Sequence, residues 1–576
     1  MSLQTLARAS RLRSYPQLLL ICSRNDFFVR SSTGPSSRCM VTQSAKLAAA
    51  SSLDVNLEDE KTQGDKRERV VILGSGWGGY TLSRRLSPKQ YHTTVISPRS
   101  YFVFTPLLTD AASGSLEFSN IVEPVRDKSA QVDFIQAAAQ SLDLKKKTVS
   151  CEATVVKSGV TESARTSDQE DKDSKQPSEK PGRGLRPWEQ GELIQVPYDK
   201  LIIAVGAVSQ TFGAPGVQEN ALFFKDVGDA KRVKRRLREC FELAVLPSTT
   251  PEMRKWLLHF AIVGGGPTGS ELAANLRDFI NEDLSKVYPS LQGIPQISLY
   301  DVAPKVLSMF DESLARYAMD TMKKEGINIQ TSHHIKGLRW GAPGAPPPHH
   351  MDPKRCLTLI TEEEGDIGVG MCVWATGNAM PKFIRKSLGK VDDLPQDMAV
   401  LKTNEESPSK SGEQTTTWKF KKVPKKDALM VDGYLRVQLL NEHGETAVLK
   451  NVFALGDNAM PETGAPPATA QATFQESKWL ADRLNKGDIE HISPFSFRNM
   501  GTLAYIGSEK ALMQFPHDMH DPSKRSKYLP GGIKGYVARI VWNAAYITMS
   551  ISWRNRLRIL FRWTLNKLFG RDVARF

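Results

Sequence analysis

The sequence is poor in cysteine, with six residues in 576, at positions 22, 39, 151, 240, 356 and 372. No two of them form a C-x-x-C pair, and no spacing among them is typical of a zinc site. Isolated thiols of this kind fit a reduced compartment and simple packing roles. The scarcity argues against a metal centre and against chemistry that cycles a closely spaced pair of thiols.

Long apolar runs are also missing. The sequence contains no uncharged run of eighteen apolar residues, and Arg539 interrupts the longest candidate. A membrane-spanning helix is therefore not predicted. The content of 40% hydrophobic and 24% charged residues is ordinary for a globular enzyme. A chain of this length exceeds one ordinary core, and two or three domains are expected.

Acidic residues are scarce at the two ends of the chain. Residues 1–50 carry a net charge of +6 and residues 523–576 a net charge of +11, which leaves the body, 51–522, at −3. A slightly acidic body argues against a nucleic-acid partner. The Arg-rich, Ser-rich and acid-poor start has the composition of a transit peptide, and residues 1–50 are predicted to be a mitochondrial targeting segment.

A strand, a glycine turn and a helix are predicted near the start of the body. Val70 to Leu73 form a short apolar strand, and Gly74-x-Gly76-x-x-Gly79 follows directly. In a dinucleotide-binding unit the first glycine permits the turn, the second lets the backbone approach a pyrophosphate, and the third lets the helix pack on the strand. The next strand, YHTTVIS, carries Ser97 where an acid usually binds a ribose, and its hydroxyl could still make that hydrogen bond.

The same pattern returns almost two hundred residues later. Gly264-x-Gly266-x-x-Gly269 follows the strand HFAIV, and the next strand, ISLYD, ends in Asp301. An acid at this position accepts hydrogen bonds from ribose hydroxyls and repels a 2′-phosphate, so it favours NADH over NADPH. Two such units in one chain are stronger evidence for dinucleotide binding than a single unit. One unit must hold a flavin and the other a nicotinamide cofactor for the pair to make chemical sense.

Further strand-end motifs complete a resemblance to the flavin-dependent disulfide reductases and their relatives. LIIAVGA (201–207) and VWATGN (373–378), with Gly377, match the linkers between the two domains of that family, and NVFALGDNA carries Gly456 and Asp457. The resemblance implies that the first glycine motif binds non-covalent FAD and that Asp457 contacts the flavin side chain. It also implies that the second motif lies in a nicotinamide domain inserted into the FAD domain. The paired thiols of those reductases are missing, so the electron acceptor must be external.

A helical motif at 466–480, PPATAQATFQESKWL, offers a site for that acceptor. Gln471 and Gln475 are spaced i, i+4 and project from one face of a helix, where they could donate to carbonyl groups of a flavin and a quinone. Spacing alone is equally typical of two polar residues on a solvated face.

At this point the sequence resembles the type II, or alternative, NADH dehydrogenases, which are single-chain NADH:ubiquinone oxidoreductases. The matching stretches are LGSGWGGYTLSRRL, SPRSYFVFTPLL, VGGGPTGSELAANL, YDVAPKVLSMFD, VWATGN, ALGDNA, PPATAQATFQE and LAYIGSEKAL. The resemblance implies that Gln471 and Gln475 lie where quinone meets the flavin ring and that Glu271 handles a proton or hydride near the nicotinamide. It also implies that Thr105 and Pro106 lie beside the flavin. No EF-hand loop supports the calcium-regulated branch.

The carboxyl end predicts one or two basic amphipathic helices over residues 536–569. Aromatic and aliphatic residues share one face, and basic residues form its shoulders: Trp553, Leu557, Leu560, Phe561 and Leu568, with Arg554, Arg556, Arg558, Arg562 and Lys567. This pattern is typical of a helix that lies in a membrane interface. Packing on a partner protein or on a second subunit is the alternative, and both uses can coexist in a homodimer.

The predicted architecture is an α/β fold with two Rossmann-type domains and carboxyl-terminal anchoring helices. Its expected parts are a transit peptide (1–50), the FAD domain in two pieces (66–228 and 383–497), the NADH domain (229–382) and a membrane and dimerisation domain (498–576). Polar stretches at 158–192, 341–353 and 403–427 are typical of inserted loops.

The leading hypothesis is peripheral NADH:ubiquinone oxidoreduction at the mitochondrial inner membrane, in the respiratory chain, without proton pumping. Two alternatives stay open. One is a flavin reductase that passes electrons to a soluble protein, as ferredoxin reductases do. The other is a non-enzymatic flavoprotein like the apoptosis-inducing factors.

Overall fold

A computed structural model describes residues 66–127, 131–155, 191–344, 356–391, 399–402, 417–464, 466–516 and 532–573. The chain divides into two compact units, Met1–Asp54 and Val55–Phe576, and the first lies wholly outside the described residues. The predicted transit peptide therefore falls outside them as well, as do most of the three predicted inserted loops.

The strands are short, as expected for an α/β protein. In chain order they are β1 Glu68–Leu73, β2 Tyr91–Ile96, β3 Tyr101–Val103, β4 Val122–Pro124, β5 Asp133–Ile135, β6 Ala137–Asp143, β7 Thr148–Ala153, β8 Leu193–Pro197, β9 Lys200–Ile203, β10 Val208–Ser209, β11 Leu222–Phe223, β12 His259–Val263, β13 Gln296–Asp301, β14 Ile327–Thr331, β15 Ile335–Trp340, β16 Leu357–Thr361, β17 Gly365–Val369, β18 Met371–Trp374, β19 Asn378–Ala379, β20 Lys390–Val391, β21 Ala399–Lys402, β22 Trp418–Phe420, β23 Leu429–Val431, β24 Arg436–Asn441, β25 Thr446–Ala454, β26 Ala459–Pro461, β27 Thr502–Gly507, β28 Lys510–Gln514 and β29 Gly532–Gly535.

The helices lie between these strands and after them. In chain order they are α1 Trp77–Ser83, α2 Leu108–Ala112, α3 Val217–Asn220, α4 Val227–Val245, α5 Pro251–Leu257, α6 Pro267–Phe279, α7 Ser285–Val287, α8 Glu312–Lys324, α9 Ala470–Lys486, α10 Tyr536–Met549 and α11 Trp553–Phe569. Single 3₁₀ turns cover Thr105–Leu107, Phe118–Asn120, Pro289–Leu291 and Gly456–Asn458, and π turns cover Ile280–Leu284 and Phe383–Ser387.

The largest sheet combines both ends of the body. Its main path runs β20-β22-β24-β25-β9-β1-β2-β5, and the five strands from β25 to β5 are parallel. Residues 70–73 of β1 are completely or almost completely buried. They are apolar on both faces of the strand because a parallel strand in such a sheet is covered on both faces. The first glycine turn leaves this sheet at the carboxyl end of β1, where open α/β sheets bind their ligands.

The second sheet is built entirely from the middle of the chain. Its order is β11-β18-β12-β13-β14, and every pairing is parallel. The chain leaves the large sheet after β9 and returns to it at β20, so the second domain is inserted into the first. The predicted α/β class with an inserted second Rossmann-type domain is confirmed.

The carboxyl-terminal segment forms a third, smaller layer. Strands β27, β28 and β29 make an antiparallel sheet, α10 packs on β28, and α6 of the second domain packs on β27. The expectation of one or two helices is met by two, α10 and α11. One expectation was wrong in part: residues Trp418–Phe420, inside the predicted loop 403–427, form β22, because Trp418 and Phe420 are buried in the core.

The last described residues return to the second domain. After Gly570, which has φ +79°, the backbone N–H of Arg571 donates to Asp283 Oδ1 at 2.9 Å. The Arg571 guanidinium also pairs with Asp283 at 3.1 Å and with Glu282 at 3.0 Å. Arg238 of α4 donates to the carbonyl of Asp572. The tail is thereby fastened to the π turn that directly follows α6.

Candidate active site

The first glycine loop has the geometry of a pyrophosphate cradle. Gly74 has φ +108°, and a Cβ there would lie 2.3 Å from the carbonyl of Ala204. A Cβ at Gly79 would lie 1.9 Å from the carbonyl of Gly74, so both outer glycines are required by the protein itself. A Cβ at Gly76 would meet no protein atom within 4 Å, and its φ of −76° suits any residue. The open backbone at Gly76 fits a bound phosphate group.

Ser97 lies beside this loop, and its hydroxyl is already occupied. It is 2.9 Å from the hydroxyl of Ser75 and accepts from the backbone N–H of Arg99 at 3.2 Å. The side chain is almost completely buried. Ser97 is therefore positioned next to the glycine turn, as expected from the end of β2, while its hydrogen bonds tie that turn to the following loop.

Thr105 and Pro106 form a short 3₁₀ turn that faces the start of α1. The indole N–H of Trp77, the first residue of α1, donates to Thr105 Oγ1 at 2.9 Å. The Trp77 ring also packs edge-on against Phe102, with ring centroids 5.1 Å apart. The turn is thus held against the same loop that carries Gly74 and Gly76.

The Gly456–Asp457 turn joins this site from the far end of the sequence. Gly456 has φ +76°, and a Cβ there would touch Thr473 of α9 at 3.1 Å. Burial raises the pKa of Asp457, while the nearby ammonium of Lys225 lowers it. A half-buried acid next to a helix amino end is suited to hold a polar part of a cofactor.

Two residues that hold this turn in place were not predicted from the sequence. Glu476, one position after Gln475, accepts from the backbone N–H of Gly456 at 2.7 Å, and burial raises its pKa to about 7. Asn458 accepts from Gly206 N and donates to the Ile203 carbonyl, both at 3.0 Å. Glu476 directly follows Gln475, and Asn458 directly follows Asp457. This adjacency to predicted site residues was the signal in the sequence.

The second glycine loop repeats the first. A Cβ at Gly269 would lie 1.9 Å from the Gly264 carbonyl, whereas a Cβ at Gly266 would meet nothing within 4 Å. Asp301 reaches this loop from the end of β13: one carboxylate oxygen accepts from Gly265 N, and the other accepts from Ala303 N at 2.7 Å. The structure therefore places Asp301 where the sequence predicts it, against the glycine turn.

The two interdomain linkers meet beside the second loop. Gly377, with φ +75°, packs against Phe212, and β10 pairs with β19 across the linkers. Lys225 fastens this crossing, since its Nζ donates to Asn378 Oδ1 at 2.6 Å and to the Ala207 carbonyl at 3.4 Å. No sequence pattern indicated this role of Lys225.

Glu271 points out of the second domain toward the carboxyl-terminal layer. It lies on α6 and is only 7% exposed, and its Oε1 accepts from the backbone N–H of Tyr505 in β27 at 2.9 Å. Burial, the larger cause, and the charge of Asp110 raise its pKa to about 8, although the Tyr505 hydrogen bond lowers it. A carboxyl with this pKa is protonated at neutral pH and can give or take a proton.

Gln471 and Gln475 both lie on α9 and bind the chain that enters the carboxyl-terminal layer. Gln471 donates to the Gly501 carbonyl at 3.2 Å and accepts from Met500 N at 3.1 Å. Gln475 bonds the backbone of Arg498 in the same two-point manner. Each carboxamide is therefore held in one orientation by the backbone of residues 498–501.

The described thiols take no part in this site. Cys151, Cys240, Cys356 and Cys372 are free and buried. Burial raises the pKa of the Cys151, Cys240 and Cys372 thiols to about 12, which keeps them protonated and unreactive. Among the described residues, no thiol pair is available to accept electrons.

The two carboxyl-terminal helices present an apolar surface. Leu557, Leu560 and Phe561 are 64%, 52% and 65% exposed, and Trp553, Leu568, Tyr536, Val537 and Ile540 are exposed as well. Several basic residues of the predicted shoulders are paired within the chain: Arg554 with Glu123, Arg562 with Glu117 and Lys567 with Glu509. In the part of the chain that the structure describes, no helix is long and apolar enough to cross a membrane.

Two glycine cradles, an acid at a strand end beside the second of them and a turn with a half-buried aspartate define a flavoprotein class with two dinucleotide-binding domains. The family model for pyridine nucleotide-disulphide oxidoreductases matches residues 68–391, and the model for the NDH2 C-terminal domain matches residues 499–572.

Curated relatives narrow the class further. A probable NADH dehydrogenase of Dictyostelium discoideum is 31% identical, over 89% of this chain and 92% of its own. The external NADH-ubiquinone oxidoreductase 2, mitochondrial, of Saccharomyces cerevisiae is 32% identical, over 89% of this chain and 83% of its own. The chain belongs to the family of alternative NADH-ubiquinone oxidoreductases, the type II NADH dehydrogenases.

A solved structure has the same fold. NDH2 from Plasmodium falciparum in complex with NADH aligns with a TM-score of 0.66 at 22% identity, covering 88% of this chain and all of the other. The sulfide:quinone oxidoreductase from Aquifex aeolicus aligns with a TM-score of 0.54 at 17% identity, covering 88% of this chain and 96% of the other.

Proposed function

We propose that this protein oxidises NADH and reduces ubiquinone through bound FAD, without moving protons across the membrane. The observation that carries the proposal is the pair of glycine cradles, each with an open backbone at its middle glycine, next to a carboxyl-terminal layer of the NDH2 type. Names of relatives from fungi and plants supply the acceptor, since they are NADH- or NAD(P)H-ubiquinone oxidoreductases of mitochondria.

The first cradle would hold FAD. Gly74, Gly76 and Gly79 would face its pyrophosphate, and the amino end of α1 would stabilise the phosphate charge. The other groups around the cradle would surround the rest of the cofactor; these are Ser97 near the adenosine ribose, Thr105 and Pro106 beside the ring, and Gly456 and Asp457 at its side chain. When bound, FAD accepts a hydride from NADH and passes two electrons to quinone.

The second cradle would hold NADH. Gly264, Gly266 and Gly269 would face its pyrophosphate, and Asp301 would accept hydrogen bonds from the ribose hydroxyls. Gly377 lies in the linker that returns to the FAD domain, where a side chain would collide with Phe212. The Asp301 carboxylate would repel the 2′-phosphate of NADPH, so NADH is the expected donor.

Glu271 would handle the proton of the reaction. A hydride brings two electrons and one proton, while reduction of ubiquinone to ubiquinol requires two electrons and two protons, so one proton comes from solution. A buried carboxyl that is protonated at neutral pH can supply it. The backbone N–H of Tyr505 holds the Glu271 carboxyl in place during this exchange.

Gln471 and Gln475 would border the quinone site. Both carboxamides are fixed by residues 498–501, so α9 and the entry of the carboxyl-terminal layer form one rigid wall. Small side chains on either side of Gln471, at Ala470 and Ala472, leave room for a flat ring.

The exposed apolar face of α10 and α11 would lie in the interface of the mitochondrial inner membrane. Trp553, Leu557 and Phe561 would enter the acyl boundary, and Arg558, which is exposed, would meet anionic headgroups. The same surface would also bury part of its area against a second copy in a homodimer. Ubiquinone is lipid-soluble, so a site that opens at this face would receive it directly.

The decisive experiment measures NADH oxidation by the purified full-length holoenzyme with and without a short-chain ubiquinone, and again with NADPH. We expect fast turnover that requires both NADH and quinone. Reduction of the bound flavin without quinone turnover would instead assign a protein acceptor. Absence of flavin reduction by NADH would reject the proposal.

A further inference from the structure

A second buried acid lies where three layers of the molecule meet. Asp110 is in α2 of the FAD domain and is 1% exposed, and α2 packs on α6, which carries Glu271. Its Oδ2 atom has no hydrogen-bond partner among the described residues. A carboxylate oxygen that is buried and unpaired is costly, so such a group usually has a function or stays protonated.

Helix α10 closes this space from the carboxyl-terminal side. Burial is the main cause that raises the pKa of the Tyr546 hydroxyl, and the charges of the Glu271 and Asp110 carboxyls raise it further. The Tyr546 ring packs on Trp542, with centroids 4.5 Å apart, and on Phe104 at 6.2 Å. Asp110 and Glu271 are therefore two buried carboxyls on packed helices, α2 and α6, and both act on Tyr546 of α10.

Charged groups approach this space from every neighbouring element. Those that act on Asp110 or Glu271 are Asp278 on α6, Glu509 in the turn between β27 and β28, Arg539 on α10 and Arg571 after α11. Arg539 has partners of its own, Glu509 at 3.4 Å and the ring of Tyr505 at 4.1 Å. Asp278 accepts from the Tyr505 hydroxyl at 2.5 Å and pairs with Arg277 at 3.2 Å. No described cation makes a direct ion pair with Asp110 or Glu271.

We propose that Asp110 is a positioning residue for quinone reduction: its negative charge, enclosed with Glu271, keeps the Glu271 carboxyl protonated so that this proton is ready for the quinone. The inference rests on the proposed role of Glu271. The proton goes from Glu271 to a quinone oxygen as the two electrons arrive, and Glu271 is then reprotonated from solution.

The acidities of the two carboxyls agree with this geometry. Burial raises the pKa of Asp110 to about 6, and burial together with the Asp110 charge raises the pKa of Glu271 to about 8. Between these values Asp110 is ionised and Glu271 is protonated, so the pair holds one proton. Asp110→Asn removes the neighbouring negative charge, and the Glu271 pKa then falls.

The test is the pH profile of kcat/KM for a short-chain ubiquinone, from pH 5.5 to 9.5, with full-length holoenzyme. In wild type the value falls as Glu271 ionises. In Asp110→Asn the midpoint of that fall moves to lower pH by about one unit. Asp110→Glu, which keeps the charge, restores the wild-type midpoint. Thr109→Val is the matched control, because it removes a buried hydroxyl without a partner from the same helix and changes no charge.

The outcomes separate this inference from the role of Glu271. If Glu271→Gln keeps the wild-type profile, the role of Glu271 is rejected and the inference with it. If Glu271→Gln flattens the profile while Asp110→Asn leaves the midpoint unchanged, only the Asp110 inference is overturned.

Infrared spectroscopy of the wild-type protein covers the case in which Asp110→Asn loses its flavin. The carbonyl band of a protonated carboxyl that persists to about pH 8, and that is absent in Glu271→Gln, supports the enclosed pair. A spectrum in which every such band is already lost when the pH is raised to about 5 overturns it.

Discussion

The carboxamide of Gln475 is bonded to the backbone of Arg498 at both of its polar atoms. Its Nε2 donates to the Arg498 carbonyl at 2.8 Å, and its Oε1 accepts from Arg498 N at 3.1 Å. One turn earlier, Gln471 bonds Gly501 and Met500 in the same way. One face of α9 is thus hydrogen-bonded to the segment that leads from the FAD domain into the carboxyl-terminal layer.

Gln475→Ala should impair quinone reduction more than reduction of a small soluble dye. The truncation removes both bonds to Arg498, so the wall of the quinone site loosens while the flavin and the NADH cradle are untouched. We expect kcat/KM for a short-chain ubiquinone to fall about tenfold or more, which corresponds to about 1.4 kcal/mol. Parallel assays with ubiquinone and ferricyanide measure the difference. Equal losses with both acceptors would reject a quinone role for Gln475.

Gly76→Val should yield protein without flavin. A Cβ at Gly76 meets no protein atom and its φ suits any residue, so the fold tolerates the change, whereas the pyrophosphate space does not. The ratio of flavin to protein absorbance measures the loss. Gly389→Val is the control, because that glycine also faces open space but lies outside both cradles. A yellow, fully active Gly76→Val protein would count against the FAD assignment.

Asp301→Asn should reduce the preference for NADH. The amide no longer repels a 2′-phosphate and no longer accepts strongly from the ribose hydroxyls, so the ratio of kcat/KM for NADH to that for NADPH should fall about tenfold. Steady-state kinetics with both donors give the ratio. Asp320→Asn, at an exposed acid on α8, serves as the control and should leave the ratio unchanged. An unchanged ratio in Asp301→Asn would remove Asp301 from donor selection.

The double variant Leu557→Glu/Leu560→Glu should release the protein from membranes. Two charges on the exposed face of α11 oppose entry into the acyl boundary. Flotation with vesicles that contain anionic phospholipid should recover little of the variant, while ferricyanide reduction stays at the wild-type level. Leu193→Glu is the control, since Leu193 is 71% exposed on β8 of the FAD domain. Equal flotation of all three proteins would place the membrane surface elsewhere.

Glu271→Gln should stabilise the protein at alkaline pH. The folded-state pKa of Glu271 is raised to about 8, so between about pH 4.5 and 8 the unfolded state ionises while the folded state does not. Wild type therefore loses stability as pH rises through this window, and the uncharged variant does not share this loss. We expect a gain in Tm of about 2 °C at pH 8.5 and none at pH 4.5.

The control for that measurement is Glu312→Gln. Glu312 is exposed, and its hydrogen bonds with Lys305 and Arg316 lower its pKa, so it is ionised in both states over the same window. It should show no gain at pH 8.5. A Glu271→Gln protein with the same Tm difference at both pH values would mean that Glu271 titrates normally.

Local sequence patterns predicted much of the fold because strands, glycine turns and amphipathic helices depend on residues that are close together in the sequence. Each strand–glycine turn–helix unit is set by an apolar run and by the spacing of three glycines, so the ends of β1 and β12 could be predicted. The amphipathic period of residues 536–569 likewise predicted α10 and α11. Predicted residue placements around the two cradles, such as Asp301 beside Gly265, follow from the same topology.

Contacts between distant elements could not be predicted in this way. The bond from Tyr505 to Glu271 joins residues 234 positions apart, and that from Gly206 to Asn458 spans 252. The sequence also gave no sign that the glutamine carboxamides of α9 bind backbone, because spacing describes a helix face and not what covers it. β22 was missed because its buried residues, Trp418 and Phe420, follow a long polar stretch.

The fastening of Arg571 to Asp283 and Glu282 has a mechanical consequence. The chain passes through the apolar helices α10 and α11, and its last described residues then bind the domain that is expected to carry the nicotinamide. A swing of that domain away from α11 would have to break two contacts of the Arg571 guanidinium, one of its backbone N–H and the bond from Arg238 to Asp572, besides the packing of α6 on β27. The distance from the second glycine cradle to the exposed face of α11 is therefore set by the contacts of residues 571 and 572 as well as by the interdomain linkers.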